Sequence, residues 1–278
     1  MKLATLASID FSEATDLMTA AIRGFKLEMT EGSHVTDTYS ELAAHAAASV
    51  QEIAVAMNKT AAIANSAGMS FENTAAFLTQ MIEATQETAA NIGTAMKTVV
   101  ARFTELKENV DEVDSEFEDL DYNKVDKALK SIGVDLKDVN GQFRDLDDVF
   151  IELSSKWQSL SRNQQRYIAT TAAGSRQQSR FIALVDNYAR TLELVDIAQN
   201  SAGRSSQQFA KYSDSVDYSI KKLQNTWEQF RVNLANNDFY KNFAENLNNF
   251  LERIASFDII DWGKIVTFMF TIGQMSMR

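Results

Sequence analysis

Proline and cysteine are both absent from the 278 residues. Proline is excluded from helix interiors and makes up roughly 5% of an average chain, so its absence points to a nearly all-α protein. Without cysteine there is no disulfide, no thiolate nucleophile and no cysteine-ligated metal. Histidine is scarce: His34 falls in an expected turn and His45 in an alanine-rich helix, so the two do not make a regularly spaced zinc-ligand pair. Basic charge is in deficit, 27 Lys and Arg against 38 Asp and Glu, a net charge of -11. That balance excludes a general nucleic-acid-binding surface, because counterion-release binding needs a basic footprint.

Long hydrophobic runs are missing too. The N-terminal MKLATLASIDF stops at Asp10, too short for a signal peptide. The segment Trp262 to Met277 is interrupted by Lys264, Thr267, Thr271, Gln274 and Ser276, and falls short of the ~20 apolar residues of a spanning helix. Core packing is its ordinary fate, and any membrane contact is confined to it. No glycine-rich phosphate loop, G-x-S-x-G elbow or spaced metal-carboxylate motif occurs. The expectation is a non-enzymatic chain with no catalytic, cofactor-binding or metal residues and no cofactor.

What is present is helical periodicity over a 45% hydrophobic composition, enough for a real core. A first helix is expected after Ser12, ended by Gly32 and Ser33, then one long helix from Asp37 to Ala67, stopped by Gly68. Ser70 caps the next helix, and another runs through Ile92, Met96, Val99 and Phe103. The acidic stretch Glu105 to Asp121 has Leu106, Val110, Val113, Phe117 and Leu120 three or four apart, as on a solvated helix. Asn140-Gly141 signals a type I′ turn flanked by alternating residues, predicting a short β-hairpin over 134–144. Asp145 then caps a helix with Val149, Phe150, Leu153 and Trp157 on one face, and Gly174 breaks the following helix. Ser175 and Gln178 have the spacing of a capping box for the next one.

The expected architecture is therefore an all-α multi-helix bundle with long amphipathic helices and one hairpin. Three parts are expected: a helical bundle over 1–108, an acidic helix, hairpin and core over 109–200, and coiled-coil-like helices with an apolar end over 201–278. In the last part Phe209, Tyr212, Val216, Ile220, Leu223, Trp227, Phe230 and Leu234 recur at a near-3.5 period, a seam for helix association. Arg162, Arg166, Arg176 and Arg180, with Gln177 and Gln178, form a local basic cluster in an acidic chain. Two readings stand: a docking patch for an acidic partner, and the commoner intramolecular pairing with carboxylates of Asp145 to Glu152.

The run NGQFRDLDDV, holding Asn140, Gly141, Gln142 and Phe143, is followed by a helix ending in KW, by QQRYIATTAAGSRQQSRF and by DNYARTLELV. In this order the segments resemble the core of phage tail tape-measure proteins. SIDFSEATDLMTAAIRGFKLE and GTAMKTVVARF are similar to segments that precede that core. The resemblance implies a virion tail component, present in the host cytoplasm during assembly, that helps set tail length, assemble the tube and take part in genome ejection. It also implies contacts with a second copy, the tail tube protein, tail assembly chaperones, and baseplate or tail-tip proteins. The alternative is a non-viral helical adaptor or scaffold module whose seam binds a partner helix.

Overall fold

The computed structural model describes residues 2–111 and 122–213. Among them the elements are twelve α-helices and one 3-10 turn, with no strand. In chain order these are α1 (Lys2–Ala7), α2 (Phe11–Gly24), the turn Met29–Glu31, α3 (Gly32–His45), α4 (Val50–Ser66), α5 (Phe71–Thr85) and α6 (Ala89–Asp111). There follow α7 (Tyr122–Lys130), α8 (Leu146–Trp157), α9 (Arg162–Ala173), α10 (Gln178–Val185), α11 (Tyr188–Gln199) and α12 (Arg204–Ser213). Met1–Phe209 is one compact unit and Ala210–Arg278 a second. The expected acidic helix beyond Asp111, the seam residues from Val216 onward and the apolar segment Trp262 to Met277 lie outside the described residues.

Helix boundaries follow capping chemistry. Asp10, rather than a residue past Ser12, starts α2 by accepting the Glu13 N–H. The single helix expected over Asp37 to Ala67 is two. Gly32 begins α3 instead of ending α2, Ala46 turns extended after His45, and Ser49 and Glu52 form a reciprocal capping box that starts α4. Alanine propensity across Ala43 to Ala48 yields to this cap and to the packing it sets. Ser70 caps α5 as its position predicted.

α4 is the close-packed centre of the N-terminal part. It lies against α2, α5 and α6, and Ala54, Ala56, Met57, Thr60, Ala61 and Ala64 along it are buried. Small side chains bring neighbouring backbones close. A Cβ placed on Gly24 of α2 would fall 2.4 Å from the Ala61 Cβ, and one on Gly93 of α6 would fall 2.5 Å from the Ala56 carbonyl oxygen. The Thr60 hydroxyl, turned toward the same crossing, lies 3.1 Å from the carbonyls of both Ala56 and Gly93.

The other packing centre of the same core is aromatic. The Phe150 ring on α8 meets Phe77 of α5, Phe103 of α6 and Phe181 of α10 edge-on, with centroids 6.0, 5.4 and 6.5 Å away. Trp157 continues the chain of rings to Phe181 at 6.2 Å, and is a buried anchor as its spacing predicted. Offset and edge-to-face geometry adds about 0.5–1.5 kcal/mol per pair beyond burial.

Gly93→Ala forces its Cβ onto rigid backbone and should destabilise the unit by about 1–3 kcal/mol. The matched control is Gly32→Ala, whose Cβ would meet nothing nearer than the Met18 Sδ at 3.8 Å. Thermal melts should show a drop of several degrees for the first and little or none for the second.

Candidate functional site

The motif-bearing segment from Gly133 to Phe181 is a chain of joints. The hairpin expected over 134–144 is not formed: Lys137 and Phe143 make one isolated antiparallel bridge. The expected I′ turn fails as well, since Gly141 has φ 78° but Asn140 is not among the positive-φ residues. The physical reason is Asp138, whose Oδ1 accepts the N–H groups of Asn140 at 2.9 Å and Gln142 at 2.8 Å. A carboxylate that gathers two backbone amides closes the loop from inside and leaves no ladder to extend. Val139 at the tip is fully exposed, while Phe143 packs half-buried on the core beneath the Lys137 ammonium.

Beyond the loop, Asp145 stands at the N-cap position of α8 but makes no side-chain cap bond, against expectation. The chain is drawn instead onto the α4–α5 turn, where the Leu146 N–H donates to the Ala67 carbonyl. Gly68, at φ 76°, admits the Asp145 carboxylate; a Cβ there would lie 2.0 Å from Asp145 Oδ1. Asp147 is buried, and its Oδ2 accepts from the Ser70 N–H, the Ser70 hydroxyl and Asn73 Nδ2 at 2.9, 3.0 and 2.7 Å. Its Oδ1 is buried without a partner. Desolvation pushes the Asp147 carboxyl above the ordinary carboxylate range despite those hydrogen bonds. Glu152, one turn on, shows the opposite balance. Burial would raise it, but hydrogen bonds from Lys156 and Arg144 outweigh that and hold it below its usual value.

The arginine cluster divides. Arg180 is half-buried and its guanidinium binds Glu87, through Nε at 2.9 Å and through Nη2, with Gln177 on Nη1. The carboxylate it meets is thus on the α5–α6 connection and not in the Asp145 to Glu152 segment. Arg162 and Arg166 on α9, and Arg176 in the turn after it, are exposed and make no ion pair with a described residue. The expected Ser175 box is absent: Gln177 stands at the N-cap of α10 without a side-chain bond, and Gln178 accepts from Thr170 instead. Ser161 and Gln164 form a reciprocal box at the start of α9. Gly174 ends α9 at φ 73°, with the Arg102 guanidinium 2.8 Å from where a Cβ would stand. Of the seam, Phe209 is half-buried and Tyr212 lies on the α12 backbone; the remaining positions are outside the described residues.

Sequence reading missed the buried and half-buried polar groups that tie distant helices. Gln80 on α5 donates to the carbonyls of Ala183 and Leu184 and accepts from the Thr191 hydroxyl at 2.7 Å. Arg190 on α11 reaches the His45 carbonyl at the end of α3, Glu83 on α5 and Glu193. Burial alone would lower the Arg190 pKa, but these carboxylates raise it. Asp37 on α3 accepts backbone N–H groups at the start of α12. The available signal was a polar residue interrupting an apolar face, as Gln80 does between Phe77 and Ile82.

The chemistry of the segment is therefore positioning. Among the described residues no three His, Asp or Glu side chains are grouped to hold a metal ion, and no helix is long and apolar enough to cross a membrane.

Residues 1–174 match the family model described as phage-related minor tail protein. The chain is also 23% identical over 233 residues to a tape measure protein of Pneumococcus phage Dp-1, an alignment covering 84% of this chain and 19% of that one. It thus spans about a fifth of that relative's length. No solved structure matches it.

Because Asp147 holds its proton more tightly folded than unfolded, its contribution is fullest below the ordinary carboxylate range and fades as pH rises through the elevated folded value. Asp147→Asn removes the titration and keeps an oxygen acceptor. The wild-type melting temperature minus that of the variant should fall between pH 3.5 and 7; a flat or rising difference refutes the assignment.

Proposed function

Since this chain belongs to the phage-related minor tail protein family, we propose that it is the helical core of a tape-measure component of a phage tail. In that role it helps set tail length, assembles the tube around itself and takes part in genome ejection, after synthesis in the host cytoplasm. The supporting observation is the family match over residues 1–174, which runs through the loop and α9 that carry the motifs. It is a viral tail family, and nothing comparable supports a cellular adaptor.

The physics suits a structural part. An α-helix converts residue number into distance at about 1.5 Å per residue, so α6, with 23 residues, measures about 35 Å. The described residues form short rods stopped by turns, which supports reading this segment as a folded module of a tape-measure component. The partners that go with the role are a second copy meeting at the Phe209 to Leu234 seam, the tail tube protein, tail assembly chaperones, and baseplate or tail-tip proteins. The exposed Arg162, Arg166 and Arg176 offer planar guanidinium forks to carboxylate-rich surfaces among them.

Electron microscopy of virions carrying an in-frame deletion of residues 178–199 tests the reading. Because α10 and α11 fold back against α5, the expected result is tails shortened by at most their extended helical length, about 33 Å. Tails of normal length on non-infectious particles assign the segment to assembly or ejection, and full-length infectious virions overturn the proposal.

A further inference from the structure

We propose that residues 201–208 are a polar latch, docked on α3 through Asp37 and able to release as a unit while the helices around α4 and Phe150 stay folded. The latch is the last stretch of the compact unit that ends at Phe209, so it holds the point from which the chain leaves that unit.

The hold is made almost wholly of polar contacts. Asp37 is buried in the middle of α3, and its two oxygens accept the backbone N–H groups of Gly203 at 2.7 Å and Ser205 at 2.8 Å. These amides open α12, so a carboxylate from another helix performs the capping that α12 would otherwise need from its own N-cap, and it faces the positive end of the helix dipole. Around this contact the Thr38 and Ser201 hydroxyls meet at 3.1 Å, Gln208 donates to the Ser40 carbonyl, Arg204 pairs with Glu41, and Lys2 donates to Ser206. The α3 side chains that meet the segment, Asp37, Thr38 and Glu41, are polar and buried.

Little hydrophobic adhesion supports this contact. Between Ser201 and Gln208 the buried side chains are Ser201 and Ser205, whereas the preceding α11 buries Leu194, Val195 and Ala198. The docked state also leaves the Ser205 hydroxyl, on the segment itself, buried without a hydrogen-bond partner. An unmet buried hydroxyl opposes docking, and water satisfies it on release. A segment held by charge-assisted bonds against such opposition opens at lower cost than helices held by apolar burial. Gly203 sets the approach: at φ 81° it turns its N–H toward Asp37, and no atom lies within 4 Å of the place a Cβ would take.

Hydrogen exchange of the full chain, read by mass spectrometry on overlapping peptides, tests the latch from both sides of the contact. Asp37→Ala removes the acceptor, and Gly203→Ala strains the donor's backbone without a clash. Each should speed exchange across residues 202–208 on the order of tenfold or more, while peptides from α4, α5 and α6 keep wild-type rates. In the wild type the same segment should exchange well ahead of α5 and α11. Exchange of 202–208 in step with α5, unchanged rates in both variants, or acceleration of all peptides together overturns the latch. If Asp37→Ala fails to fold, Gly203→Ala decides alone.

Discussion

The ring of Phe150 is the contact on which the rest of this unit depends. It takes Phe77 from α5, Phe103 from α6 and Phe181 from α10 on its faces and edge, so a single side chain of α8 sets the spacing of three other helices. Edge-to-face packing is directional, and a rotation of α8 would break more than one of these contacts at once. The joints around α8 follow from that demand. Its first turn is tied to the α4–α5 connection through Leu146, Asp147, Ser70 and Asn73, and its last turn passes the Trp157 ring on to Phe181.

A second constraint acts through small residues. α4 carries alanines where α2 and α6 cross it, and Gly24 and Gly93 bring those backbones to distances that a methyl group would close. Alanine and glycine give little burial per residue, so the region is held by many dispersion contacts at short range and not by a few large side chains. Large aromatic side chains at one centre and close backbone approach at the other divide the packing between them.

Between these centres the buried and half-buried polar groups act as registry pins. Gln80, Arg190 and Asp37 each satisfy backbone groups at helix ends, the Ala183 and Leu184 carbonyls, the His45 carbonyl and the Gly203 and Ser205 amides. Helix ends are where backbone donors and acceptors go unpaired, and a buried end must find partners. A tail component built of short helices has many such ends, and it meets the requirement with side chains drawn from remote helices. The pins fix which helices adjoin, and their differing apolar support gives the unit regions of unequal strength.

Periodicity, the missing proline and local caps were enough to read the helical class and several helix ends, though not the break between α3 and α4, since hydrophobic spacing and side-chain-to-amide bonds three residues apart are encoded within one turn. Ser70 and Gly174 were legible for that reason, as was Trp157 as an anchor. The motif order likewise carried the family. Other outcomes were decided by contacts between remote parts of the chain. Asn140-Gly141 became a side-chain-closed loop because Asp138 outcompeted a strand ladder, and Asp145 gave up its cap because the α4–α5 turn captured Leu146. Arg180 found Glu87, ninety-three positions away, because α10 lies against α5. Local rules set which residues become helix; the pairing of buried polar groups depends on which helices adjoin, and no window of neighbouring residues contains that information.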